Sequence, residues 1–136
     1  MYKYEAGFIG AGSMGGALAE AVVKTAGGER VAVSCSMPQS TARAAERIGC
    51  TAAAAQEVLR ESRYVFLGVK PQMIERVTAP LAVDIAASGA VFVSMLAGVT
   101  LSRLEELLGG KKIIRIMPNT PCAVGSGLIL HCANDR

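Results

Sequence analysis

The residues best suited to chemistry come early in the chain. Gly10-Ala11-Gly12-Ser13-Met14-Gly15 has the spacing G-x-G-x-x-G. It follows a short apolar run and opens a stretch with helical periodicity. In that setting Gly10 permits a tight turn. Gly12, without a side chain, lets a pyrophosphate approach the backbone. Gly15 lets the helix lie close to the strand before it. The helix N-terminus adds unpaired N–H groups and the positive end of its dipole. A purely structural glycine turn uses the same residue type, but the strand-then-helix context favours dinucleotide binding.

A second loop, Ser34-Cys35-Ser36-Met37-Pro38-Gln39, falls where an acid about 20 residues beyond the glycines would hold the ribose 2′-OH of NAD. No acid occurs between Arg30 and Ala45. Ser34, Ser36 and Gln39 can donate hydrogen bonds, and Arg43 can bring charge to a 2′-phosphate or stand as an exposed helix residue. The absence of the acid favours NADP(H), with NAD(H) as the alternative. Further on, Val69-Lys70-Pro71-Gln72 would project Lys70 beyond a strand end, as a ligand contact or as a solvated lysine. In Met117-Pro118-Asn119-Thr120-Pro121 two prolines stiffen the loop. The Asn119 amide offers both a donor and an acceptor, which suits a carboxamide and equally suits a turn. Cys122 would need a base to act as a nucleophile, and His131, the only histidine, lies nine residues on in a strand pattern. We read both as packing residues.

The elements that must position these loops alternate along the chain. Strands are predicted over Tyr4–Gly10, Val31–Cys35, Cys50–Ala53, Tyr64–Val69, Ala90–Leu96, Ile113–Met117 and Leu128–Cys132. Helices are predicted over Ser13–Ala26, Ser40–Ile48, Ala54–Glu61, Met73–Ala87 and Leu101–Leu108, with Pro80 marking a break or a second start. Tyr64–Val69 is apolar on both faces, as a central parallel strand requires. The alternation implies an α/β fold with right-handed βαβ units on a doubly wound, mostly parallel sheet, the Rossmann dinucleotide-binding fold. Ligands of such sheets bind beyond the carboxyl ends of the strands, where every loop named above falls.

Composition narrows the classes. The 136 residues make one domain, 1–136, with 51% hydrophobic and 18% charged residues, which argues against disorder. A net charge of +3 requires no polyanionic partner, so nucleic acid is not expected. No uncharged apolar run reaches the ~18 residues of a membrane span. Ala6–Ala19 imitates a signal peptide, but Glu5 stands where a basic residue belongs, and five of the fourteen residues are glycine. Four cysteines without a Cys-x-x-Cys pair, beside one histidine, suggest neither a metal site nor a disulfide framework. Reduced thiols in the cytoplasm are the expectation.

Four motifs in order bring a family into view. Gly7-Phe8-Ile9-Gly10-Ala11-Gly12-Ser13-Met14-Gly15-Gly16-Ala17, Val69-Lys70-Pro71-Gln72, Ala97-Gly98-Val99-Thr100 and Met117-Pro118-Asn119-Thr120-Pro121 resemble pyrroline-5-carboxylate reductase, and Val124-Gly125-Ser126-Gly127 fits as well. The resemblance covers essentially the whole chain. Its glycine motif is shared by many dehydrogenases, whereas the last two of the four motifs are far more specific. It implies NADPH- or NADH-dependent reduction of the C=N bond of 1-pyrroline-5-carboxylate to L-proline, the last step of proline biosynthesis. It implies cofactor contacts at Gly10, Ala11, Gly12, Ser13, Met14, Gly15, Ser34, Ser36, Val69, Lys70, Pro71, Ala97, Gly98 and Asn119.

The chain departs from the family in two ways. Met95-Leu96 stands where small residues are usual, and family members are about twice as long. The expectation is a cofactor-binding domain without the helical C-terminal domain, which carries the substrate-contacting hydroxyl and the homo-oligomer interface. Catalytic residues are then unassigned in this chain, and turnover by it alone is not expected. Another imine reductase, a β-hydroxyacid-dehydrogenase-like enzyme or a non-catalytic NADP-binding module remain alternatives.

Overall fold

Six strands run parallel because each apolar run is separated from the next by a crossover. The computed structural model describes residues 2–10, 13–96, 98–117 and 130–133. Along them lie β1 (Tyr4–Ile9), α1 (Ser13–Ala26), β2 (Val31–Ser34), α2 (Pro38–Ile48), β3 (Thr51–Ala52), α3 (Ala55–Glu61) and β4 (Ser62–Leu67). They continue through α4 (Ile74–Thr78), α5 (Ala82–Ala87), β5 (Val91–Ser94), α6 (Leu101–Leu108), β6 (Ile113–Met117) and β7 (Leu130–Ala133). The sheet order is β3-β2-β1-β4-β5-β6-β7, with β7 antiparallel to β6. This is the doubly wound α/β arrangement the alternation predicts, with its reversal between β1 and β4.

Both faces of the sheet are covered, which is why the central strands read as continuous apolar runs. Ala6, Phe8, Val31 and Val33 pack with Leu18, Ala19, Ala44, Ala45 and Ile48 of α1 and α2. On the other face Val65, Leu67 and Phe92 meet Val58 and Leu59 of α3, Ile85 of α5 and Leu104 of α6. Phe8 and Phe66, paired in register, stack with ring centroids 4.5 Å apart.

Several element bounds differ from expectation. β4 occupies Ser62–Leu67 rather than Tyr64–Val69. Ser62 continues directly from α3, so the strand begins two residues early. At its far end the Gly68 amide bonds the Ile9 carbonyl at 2.8 Å, and the chain then leaves the sheet. Val69 stays apolar because it packs on the core from the loop. α2 starts at Pro38, whose missing N–H costs nothing at the first helical position. The helical stretch expected over Met73–Ala87 is divided at Pro80, as its break signal implied. Pro80 sits in a 3₁₀ turn, Ala79–Leu81, between α4 and α5. β5 is shorter than expected, Val91–Ser94, and β3 covers only Thr51–Ala52. The last strand runs Leu130–Ala133, and Leu128 lies outside the described residues.

Candidate functional site: the carboxyl edge of the sheet

The strand ends are level. Ile9 is in register with both Ser34 and Leu67, and Leu67 with Ser94, so four loops leave the sheet side by side. Hydrogen bonds extend the ladder one step past the strands. The Gly10 amide donates to the Ser34 carbonyl at 2.8 Å, and the Met95 amide to the Leu67 carbonyl at 3.2 Å. The glycine turn is thus tied to the end of β2 and the fourth loop to the end of β4, while the Gly68–Ile9 bond ties the third loop to β1.

Gly10 shows why this turn takes glycine. Its φ is +88°, in the left-handed region. A β-carbon there would lie 2.8 Å from the Gly68 carbonyl carbon, the Val69 amide nitrogen and Val69 Cγ1. The absence of that carbon lets the first and third loops pack against each other, at the reversal of strand order. Ser13, Met14 and Gly15 form the start of α1, whose N-terminus opens on this edge. Ala11 and Gly12 lie outside the described residues.

An open cleft of about 460 Å³ lies at the ends of β2 and β3. Ser34 and Ser36 line it, together with Thr41 and the Ala52–Ala55 run, and none of its described lining residues is an acid. Ser34 is buried and Ser36 exposed. Arg43 is exposed on α2 and does not line the cleft. Sequence reasoning missed Thr41 and the alanines. A threonine one turn into a helix that begins with proline is the signal that would have found Thr41.

A second cleft, about 280 Å³, brings the third and fourth loops together. Pro71 and Gln72 face Gly98 and Thr100 across it, and Glu75 and Arg103 complete the wall, joined by an ion pair of 3.0 Å. Thr100 caps α6 by accepting a hydrogen bond from the Arg103 amide at 3.1 Å. Lys70 is exposed beside this cleft, at the start of the 3₁₀ turn Pro71–Met73. Ala97, Asn119 and Cys122 lie outside the described residues, and of His131 only its place in β7 is described. Among the described residues no cluster of histidine, cysteine or acidic side chains could hold a metal ion. No helix among them is long and apolar enough to cross a membrane.

A parallel sheet in this order, with a glycine turn at its reversal and clefts on its carboxyl edge, defines the dinucleotide-binding class of α/β oxidoreductase domains. Residues 5–98 match the family described as NADP oxidoreductase coenzyme F420-dependent, and the chain belongs to that family. Curated relatives are named pyrroline-5-carboxylate reductases. One from Danio rerio, pyrroline-5-carboxylate reductase 3, is 34% identical over 98% of this chain and 48% of its own length. One from Pisum sativum is 37% identical over 90% of this chain and 45% of its own. The chain therefore spans about half the length of the curated relatives it matches. Among solved structures, the Plasmodium falciparum pyrroline carboxylate reductase with NADP bound superposes with a TM-score of 0.82. It is 26% identical, and the match covers 100% of this chain and 50% of that one.

Proposed function

We infer that the chain is the NADP(H)-binding unit, residues 1–136, of a pyrroline-5-carboxylate reductase, which reduces 1-pyrroline-5-carboxylate to L-proline. The observation that carries the cofactor is the acid-free cleft beside the Gly10–Ser34 hydrogen bond. An acid there would favour the free 2′-hydroxyl of NAD, whereas serine hydroxyls without one accommodate a 2′-phosphate. The NADP named for the Plasmodium relative supports the same cofactor. The substrate rests on the names of the curated relatives.

In this reading NADPH, when bound, supplies the hydride. The chain's own residues bind and orient. The backbone of Gly10, Ala11, Gly12, Ser13, Met14 and Gly15 holds the pyrophosphate against the N-terminus of α1. Ser34 and Ser36 serve the adenosine ribose and its phosphate. Val69, Lys70 and Pro71 are assigned to the cofactor at the central crevice, Ala97 and Gly98 are assigned as further cofactor contacts, and the Asn119 amide is assigned to the nicotinamide carboxamide. No side chain of the described residues is assigned as the proton donor to the imine. In relatives of full length we place that surface, and the homo-oligomer interface, in the half that this chain does not match.

Calorimetric titration of the 136-residue polypeptide tests the reading. NADPH is expected to bind more tightly than NADH. A protein that binds neither nucleotide overturns the assignment.

A further inference from the structure

The proposed function assigns the cleft at the end of β2 to the phosphorylated adenosine, and a role for its wall residue Thr41 rests on that reading. We propose that Thr41 is a positioning residue for this cleft: its hydroxyl fixes the bend of the Cys35–Met37 loop and thereby sets the preference for NADP(H) over NAD(H).

Three residues join the end of β2 to Pro38. The Cys35 amide donates to Thr41 Oγ1 at 2.9 Å, and Thr41 Oγ1 donates to the Met37 carbonyl at 3.0 Å. One hydroxyl therefore ties the first residue of the loop to the last. Thr41 is 8% exposed and forms part of the cleft wall, so the tie is partly shielded from water, which strengthens such bonds. The strand side of the loop is anchored separately, by the Ser34 carbonyl to the Gly10 amide. Pro38 fixes its own φ and offers no N–H that could compete for the same acceptors. Only Ser36 remains between the two ties, at the mouth of the cleft, beside the N-terminus of α2. No side chain caps that terminus.

A 2′-phosphate needs donors already held in place, because ordering a free loop opposes binding. NAD(H) carries only a neutral 2′-hydroxyl at that position and depends less on the bend. Loss of the Thr41 hydroxyl should therefore weaken NADPH selectively.

The test compares Thr41→Val, close in shape but without the hydroxyl, with Thr41→Ser, which keeps it. Calorimetry uses NADPH, NADH and the fragment pair adenosine 2′,5′-bisphosphate and 5′-AMP. Thr41→Val is expected to weaken NADPH and the bisphosphate on the order of tenfold. NADH and 5′-AMP should change less than twofold, and Thr41→Ser should restore the wild-type ratio. Met37→Gly, at an exposed position, loosens the same loop without disturbing the core, so it reports even where Thr41→Val does not fold. It is expected to shift the ratio in the same direction. Equal losses for both nucleotides, or an unchanged ratio in Thr41→Val or Met37→Gly, overturn the role of Thr41 while leaving the proposed function standing. A wild-type protein that binds neither nucleotide overturns both.

Discussion

Gly10 lies so close to Val69 that a β-carbon on the glycine would sit 2.8 Å from the valine's amide nitrogen. The turn after β1 and the loop after β4 are therefore packed backbone to backbone, at the point where the sheet reverses its order. Gly10→Ala would have to hold a left-handed φ and push this loop aside. The expected result is a loss of about 1–3 kcal/mol in stability and at least ~10-fold weaker NADPH binding, since a displacement of about 1 Å misplaces the phosphates. Urea denaturation and titration calorimetry on the same preparation check both.

Gly7 makes the opposite case, a glycine that serves packing alone. Its absent β-carbon makes room for α3, because that atom would overlap Ser62 Oγ and lie 2.6 Å from Val58 Cγ1. Gly7→Ala is expected to cost about 1–3 kcal/mol through overpacking while leaving the NADPH dissociation constant unchanged in the folded protein. Ser62 Oγ is buried without a hydrogen-bond partner. Ser62→Ala should therefore be neutral or stabilising, by up to about 1 kcal/mol, as read by denaturant midpoints.

The acid-free cleft at the end of β2 can be given the acid it lacks. Ser36→Asp places a carboxylate where the proposed function puts the 2′-phosphate. NADPH should weaken by at least ~10-fold, with NADH unchanged or slightly tighter. Raising the salt concentration should narrow the difference, because an exposed charge is screened within about 10 Å at 0.1 M. Titrations at two ionic strengths decide it.

Tyr4 provides a pH signature. Burial first, then its 2.6 Å hydrogen bond to Glu57 and the charges of Glu57 and Glu61, push its phenol up to about 12 from 10. The folded state thus holds the proton more tightly than the unfolded state. The stabilisation is fully present below pH 10 and is lost as the pH rises toward 12. Tyr4→Phe should be less stable at pH 8, and its stability should fall less steeply between pH 10 and 12. Urea melts across that range measure the slopes.

The sheet was legible because its strands are apolar on both faces and separated by helical patterns, as in Val31–Ser34 and Val91–Ser94. Element ends were less so. Val69 looks like strand by residue type, yet it serves the core from a loop. Ser62 and Arg63 look like loop, yet they begin β4, with Ser62 in register with Tyr4, because α3 delivers the chain directly into the sheet. The glycine turn was legible from spacing, since only a few backbone shapes suit G-x-G-x-x-G. Thr41 was not, because its importance lies in which backbone groups its hydroxyl reaches across the loop, and residue type alone does not show that. The alanines of the cleft were silent for a related reason: they contribute space.

The central position of β1 bears on how the chain is made. Its second neighbour is β4, and Ile9 must wait for Leu67, 58 residues later, before that edge is paired. At about 5–20 residues per second of synthesis, this edge stays open for roughly 3–12 s. β2 can close the other edge sooner, but no local hairpin shields β1 meanwhile. The segment that ends in the phosphate-binding turn is therefore the one most dependent on chaperone cover while the ribosome works, and mutations that slow the docking of β4 should lower yield before they lower affinity.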